Sequence, residues 1–492
     1  MLTSKKRVTA ICAPTGFGKS PAVVAAAILS KQPTCVVTNS RGLQDQYMRD
    51  FGSIGMVDIR GRRNYKCDMR PDDDYSCEEG KAARCPYSGS VACPSSQAEM
   101  AASVSNLVVT NYDKWSASRK FTTGMNHFTQ VIFDEGHDAP DALARSMQVQ
   151  LGAREIEGLG LDFPERPDAE EFINWKLWAS IARAEADKAF LAAQARITGI
   201  TDPKPSWVKH FTHMRNLVRR LGILSTANPM DWVVDEIQEG YQFDPIRPAK
   251  YAEGALLMRV PRILVVSATI RPRTLRMIGV GKDDFDFTEF PSDFDPKRCP
   301  IYYIPTMRVD KRAEDLGPLW IKHDQIAARR QDRKGIVHTI SYARRNEILE
   351  RSRFAPNMLV NERGEAPSEM IELFRRAVPG TELVSPSIGT GYDFPGPDCE
   401  WQFVCKIPFP DGRSKIVQAR QQDDPEYGPY IAMQKLVQMF GRIMRSKSDR
   451  GESFICDEHL SWFRPKYAHL APNNFHAFLK EVNTVPPPPE KL

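Results

Sequence analysis

Short, almost unbroken apolar runs recur along the chain, each closed by a glycine-rich or polar break. Val8 to Cys12 breaks at Pro14-Thr15-Gly16-Phe17-Gly18 and is followed by the alanine-rich stretch Pro21 to Ser30, which predicts strand, tight loop and helix. Cys35 to Thr38, Asn106 to Thr110 and Gln130 to Phe133 predict further strands. Strands alternating with helices imply a parallel sheet with helices on both faces. From about Ala139 to Ala249 the texture changes. Asp168 to Ile197 holds no glycine or proline and predicts a helix about 45 Å long. Trp207 to Leu224 predicts a second, basic and amphipathic one, so the block reads as a helical insertion. Strand texture returns at Arg262 to Ser267. A second α/β series runs from about Pro300 to Phe478, with strands expected at Gly335 to Thr339, Glu382 to Ser385, Gln402 to Lys406 and Ser453 to Cys456. The proline run Pro486 to Pro489 predicts an extended, mobile tail.

A chain of 492 residues is expected to form two to four domains. Its 41% hydrophobic and 26% charged residues exclude a mostly disordered or fibrous protein. The longest strongly apolar stretch, around Ala22 to Leu29, is too short to span a bilayer, and the basic start is not a signal peptide. A soluble, cytoplasmic protein is expected. The net charge of +5 permits a nucleic-acid partner without demanding one. Basic knots occur at Arg60, Arg62, Arg63 and Lys66, from Arg329 to Arg345, and from Arg442 to Arg450; each alone is ordinarily a solvated face. Six of the ten cysteines are scattered through mostly apolar settings, whereas Cys67, Cys77, Cys85 and Cys93 fall within 27 residues. Such clustering in a cytosolic type of chain points to metal rather than disulfides.

Four blocks carry chemistry. Ala13-Pro-Thr15-Gly16-Phe-Gly18-Lys19-Ser20 sits between strand and helix, where Gly16 and Gly18 let backbone N–H groups fold around phosphate oxygens. Lys19 would reach the β and γ phosphates and Ser20 would ligate Mg²⁺. Asp134 and Glu135 end a buried strand: the first suits the water shell of Mg²⁺, the second an attacking water. Ser267-Ala268-Thr269 ends another strand in small hydroxyl residues. Gln438, Arg442 and Arg445 stand at helical spacing, so one helix face is expected to present two guanidiniums to a triphosphate.

This ordered set, APTGFGKS, DEGH, SAT and QMFGRIMR, resembles superfamily 2 helicases, in particular the DinG and XPD (Rad3-like) group. Thr38 to Gln46, including Gln44, resembles the group's second motif, and Gly61 to Cys67 the run leading into its cysteine cluster. Val109-Thr-Asn111-Tyr112 and Gly389-Thr-Gly391-Tyr-Asp393-Phe-Pro-Gly396 are similar to later elements. The resemblance covers nearly the whole chain in the family's order.

It implies an α/β fold with two RecA-like parallel-sheet motor domains, one from segments 1–60, 106–140 and 255–297, the other from 298–485, before a tail at 486–492. An inserted cysteine-cluster domain would span 61–105 and a helical Arch-like insertion 141–254, together forming a hole for one strand. ATP and Mg²⁺ would bind between the motor domains through Thr15, Gly16, Gly18, Lys19, Ser20 and Asp134, joined by Gly391 and Asp393. Glu135 would prepare the water, Gln438, Arg442 and Arg445 would serve the transition state, and His137, Ser267 and Thr269 would couple hydrolysis to strand grip. The four cysteines would hold a [4Fe–4S] cluster. Their Cys-x9-Cys-x7-Cys-x7-Cys spacing departs from the family's wider first gap, and zinc and unrelated thiols remain alternatives. Arg62, Arg63, Asn64, Tyr65, Gln44 and Asn111 are expected along the strand, by phosphate contact and stacking.

The expected activity is ATP-dependent 5′-to-3′ DNA unwinding by a monomer acting on single-stranded and forked DNA, nucleoid-associated in a bacterium or phage-infected cell. Replication, repair, CRISPR or phage complexes are candidate partners. The alternatives are a partner-dependent, nucleic-acid-stimulated ATPase without autonomous unwinding, and an RNA-directed helicase. Only twelve residues precede Ala13, so neither an upstream adenine-reading glutamine element nor an N-terminal exonuclease domain is expected, and nucleotide preference is expected to be relaxed.

Overall fold

The computed structural model describes residues 4–68, 75–121, 125–164, 172–201, 203–310, 315–362, 368–388, 394, 396–444 and 449–489. Strands β1 (Val8–Cys12), β2 (Thr34–Thr38), β3 (Val57–Asp58), β4 (Leu107–Asn111) and β5 (Gln130–Asp134) open the chain. β6 (Val149–Gly152), β7 (Trp232–Ile237) and β8 (Gly240–Pro245) form a small antiparallel sheet of their own. β9 (Arg262–Ser267) and β10 (Phe285–Glu289) then complete the first sheet, parallel throughout, in the order β10-β1-β9-β5-β2-β4-β3. Central strands of such a sheet are covered on both faces, which is why Cys35-Val36-Val37 is apolar without alternation and wholly buried.

The second parallel sheet is built from β11 (Ile301–Met307), β12 (Gly335–His338), β13 (Met358–Val360), β14 (Glu382–Ser385), β15 (Trp401–Val404), β16 (Glu452–Asp457) and β17 (Leu479–Glu481). Its order is β13-β14-β12-β15-β16-β11-β17. The expected pair of α/β domains is present. In the first, Cys12 lies opposite Ser267 and Val266 opposite Asp134, so the C-terminal ends of β1, β9 and β5 stand side by side. Ligands of open parallel sheets bind at that edge.

The insertion is more than helical. Helices Phe172–Ile197 and Pro205–Thr226 pack along their length, with Ala179, Ala182 and Ala186 admitting Leu217, Leu221 and Leu224, all fully buried. Trp175 then joins the helices to the small sheet through Tyr241 and Phe243, at ring distances of 4.8 and 5.0 Å. The helical reading of this block omitted β6 to β8, because these strands are short and two long helices dominate the sequence between them. Gly240, at φ 148°, has no room for a side chain: a Cβ would lie 2.1 Å from the Leu151 carbonyl oxygen.

Two further expectations are corrected. The run Arg329 to Arg345 is not a solvated basic face: Arg330 is fully buried and pairs with both oxygens of buried Glu452, each at 2.8 Å. The proline-rich tail is not loose at its start. Arg329, Arg330 and Arg333 donate to the carbonyls of Val485, Pro486 and Pro489 at 2.5, 3.3 and 2.5 Å, trading an exposed backbone for charge-assisted hydrogen bonds. No helix among the described residues is long and apolar enough to cross a membrane. Arg330→Ala is expected to destabilise the second domain by about 3–5 kcal/mol, because Glu452 is left buried and uncompensated. Denaturant unfolding measures this loss.

Candidate active site and nucleic-acid interface

The loop after β1 turns through Gly16 and Gly18, both left-handed at φ 75° and 73°, and delivers the N-terminus of helix Lys19–Ser30 to the sheet edge. A loop of this shape presents backbone N–H groups to an anion. Lys19 Nζ rests 3.2 Å from the Pro14 carbonyl. Asp134 is buried at the end of β5, accepting from the Glu135 N–H at 3.0 Å and from the Tyr47 hydroxyl at 2.8 Å. Burial and the neighbouring Glu135 push its carboxyl up to about 6. Tyr47, on helix Arg41–Phe51, also stands close enough to the Ser20 hydroxyl to be influenced by it, so one phenol lies beside the two residues that would hold Mg²⁺. Sequence reasoning missed Tyr47; its only signal is its place three residues beyond the buried Gln44.

Glu135 sits in the left-handed region at φ 48°. Burial alone would raise its carboxyl, but the hydrogen bond and charge of His137, with Lys19 and Arg442, hold it well below the ordinary range. His137 Nδ1 lies 2.6 Å from Ser267 Oγ and 3.2 Å from Glu135 Oε2, and Ser267 Oγ accepts from the Thr269 N–H at 3.2 Å. The expected coupling residues are therefore one hydrogen-bonded chain. Thr269 Oγ1 is buried with no partner among the described residues, at the cleft wall.

The second domain closes that cleft. Helix Tyr427–Phe440 carries Gln438 and ends at Gly441, whose Cβ, were there one, would stand 3.2 Å from Thr15 Oγ1. Arg442 follows in the turn and lines the cleft with Lys19, Glu135 and Gln438. The expected single helix face bearing both guanidiniums is thus corrected: the helix stops before Arg442, because the chain must turn where it meets the phosphate loop. Arg445, Gly391 and Asp393 lie outside the described residues.

A second cavity, of about 1540 Å³, lies between the first domain, the cysteine-bearing segment and the helix Pro205–Thr226. Arg62, Arg63, Asn64, Tyr65 and Asn111 line it. Arg215, Arg219 and Arg220 on the insertion helix do so as well, and these the sequence reading missed. Burial, then the crowding by Arg220, lowers the Arg219 guanidinium. Gln44 does not reach this cavity. It is fully buried, donates to Asp58 at 2.6 Å and accepts from Asn111 at 3.1 Å, so it positions Asn111.

Cys67, Cys77, Cys85 and Cys93 line one cavity of about 280 Å³. Cys93 Sγ is 3.9 Å from Cys77 Sγ, and a Cβ on Gly80 would lie 2.6 Å from Cys67 Sγ, inside that space. Among the described residues no three His, Cys, Asp or Glu side chains converge as a single ion requires.

Residues 326–478 match the family model described as helicase C-terminal domain. Among solved structures the chain is similar to one titled XPD helicase, at 13% identity and TM-score 0.69, over 98% of this chain and 97% of that one. It is also similar to Xpd4 of S. tokodaii, at 14% identity and TM-score 0.60, over 98% and 97%, and to a structure titled XPD apo, at 12% and 0.59, over 98% of both. The fold is that of the XPD helicase structures. No curated protein sequence matches the chain. Gly441→Val is expected to lower the nucleotide hydrolysis rate about a hundredfold by displacing Arg442, with nucleotide binding to the first domain nearly kept. Comparing kcat with nucleotide affinity checks this.

Proposed function

We propose that the chain is an ATP-dependent, iron–sulfur DNA helicase that moves 5′ to 3′ along one strand and separates duplexes. The observation that carries this reading is the meeting of Lys19, Glu135, His137 and Arg442, from two sheets, in one cleft. The arginine-lined cavity borders the same first domain.

The loop amides and Lys19 hold the triphosphate. Ser20 and Asp134 would hold Mg²⁺, which supplies charge neutralisation at the phosphate oxygens. Glu135, kept ionised beside His137, orients the attacking water and takes its proton. Arg442 and Gln438 approach the developing charge only when the second domain is closed, which ties hydrolysis to domain movement. Arg445, Gly391 and Asp393 are proposed to join them. The chain His137–Ser267–Thr269 carries the state of Glu135 to the end of β9. The strand would run past Arg62, Arg63, Asn64, Tyr65 and Asn111, held mostly through its phosphates and so with little base preference.

Cys67, Cys77, Cys85 and Cys93 would hold the [4Fe–4S] cluster. Four thiolates are its donor set, and all four line one cavity, where the absence of a side chain at Gly80 leaves room for Cys67 Sγ. The chain is proposed to work as a cytoplasmic, nucleoid-associated monomer.

The test is strand release from duplexes bearing a 5′ or a 3′ single-stranded tail, by anaerobically purified protein and by Lys19→Ala. Release from the 5′-tailed duplex alone, lost in the variant, is expected. Release from the 3′ tail would overturn the polarity. No release, with DNA-stimulated hydrolysis intact, would favour a partner-dependent ATPase. The same preparation is expected to contain about four irons per chain; zinc in their place would remove the cluster from the account.

A further inference from the structure

The topology fixes which way a bound nucleotide points. Glu135 follows β5 and Ser267 ends β9, on one side of the phosphate loop, and Arg442 lines the cleft with Glu135 there. The γ-phosphate therefore faces that side, and the nucleoside, at the other end of the triphosphate, faces β10. β10 is the edge strand beside β1, and the Phe290 N–H donates to the Cys12 carbonyl at 2.8 Å, which brings the segment leaving β10 against the phosphate loop.

That side is aromatic. Phe17, in the loop itself, lies 5.2 Å from Phe290 ring to ring, and both are exposed, at 41% and 36%. Large exposed aromatics at the rim of a charged cleft are costly in water and suited to a flat partner. Phe294, Phe475 and Phe478 line the cleft beyond them, together with Cys299 and Ile301, next to Thr15 and Lys19.

Two polar side chains on this side are already engaged. Glu289 accepts from Arg271 at 2.6 Å and from the Asn473 backbone and amide at 2.6 and 2.9 Å. Ser292 Oγ accepts from the Phe294 N–H at 3.2 Å. Recognition of one base needs donors and acceptors aimed at its edge, whereas stacking accepts any base.

We infer that the segment leaving β10 and the phosphate-loop phenylalanine form a nucleobase-stacking site, in which Phe17, Phe290 and Phe294 take the base of a nucleoside triphosphate without reading its edge. The inference rests on the nucleotide-driven reading above and gives that reading a substrate class: all four ribonucleoside triphosphates.

The experiment is phosphate release from ATP, GTP, CTP and UTP, with single-stranded DNA present, by the full chain and by Phe17→Ala, Phe294→Ala and Lys19→Ala. For the wild type, kcat/KM values within about fivefold of one another are expected. Phe17→Ala, an exposed position that leaves the core intact, is expected to raise KM roughly tenfold for every base with kcat nearly kept, the loss of one stacking contact. Phe294→Ala is expected to do the same. A preference for ATP above about fiftyfold, or unchanged KM values in both phenylalanine variants, would overturn the inference while the motor reading stands. Equal hydrolysis by wild type and Lys19→Ala would overturn both.

Discussion

Where Gly441 turns against Thr15, two separately organised sheets come to share one cleft, and the proposed site depends on that spacing. The first domain supplies the phosphate loop and Glu135 but no cation opposite them; the second supplies Arg442 but no place for a triphosphate. A residue without a side chain at the contact lets the turn approach closely enough for Arg442 to enter. Elsewhere the domains are clasped by ordinary polar chemistry. Arg273 pairs with Asp424 and with Glu426, the latter at 2.8 Å, and Thr274 Oγ1 lies 2.5 Å from the Tyr430 hydroxyl. The contact at Gly441 is steric and holds no charge.

The insertion is tied to both domains. Its helix Pro205–Thr226 faces the cysteine-bearing segment, where Arg215 pairs with Glu78 at 3.3 Å. Its strand β7 reaches the second domain, where Asp235 accepts from Ser414 Oγ at 2.9 Å and from the Lys415 N–H at 3.0 Å, at the start of helix Lys415–Asp423. Arg247 closes the same helix from its other end through Asp423, at 2.5 Å. These contacts link the second domain to the arginine-lined cavity through one helix and a small sheet. The proposed coupling of hydrolysis to movement along a strand could use this second route beside the cleft.

Much of this was legible in the sequence because the informative residues sit at strand ends. An apolar run that stops at Gly16-Phe17-Gly18, or at Asp134-Glu135, announces both the sheet and its ligand edge in a few positions. What was not legible depends on contacts distant in sequence. Tyr47 matters only because β5 brings Asp134 beneath it, and Arg219 only because the insertion folds over Arg63. Gln44 belongs to the recognised pattern, yet its amide is spent on Asp58 and Asn111, a distinction spacing cannot draw. Arg330 reads as one charge in a basic run and is a core residue, since its partner Glu452 is 122 positions away. The four cysteines were found by their clustering, whereas the cavity they share depends on how the segment between them folds.

The central claim is that one nucleotide cleft, completed by both domains, is driven by a nucleic-acid strand held elsewhere in the molecule. Its most direct test is the rate of ATP hydrolysis by the full chain with and without saturating single-stranded DNA. The account predicts slow hydrolysis alone and stimulation of roughly tenfold or more with the strand, as expected of coupling worth about 1–3 kcal/mol. A rate indifferent to the strand, in protein that binds it, would contradict the account.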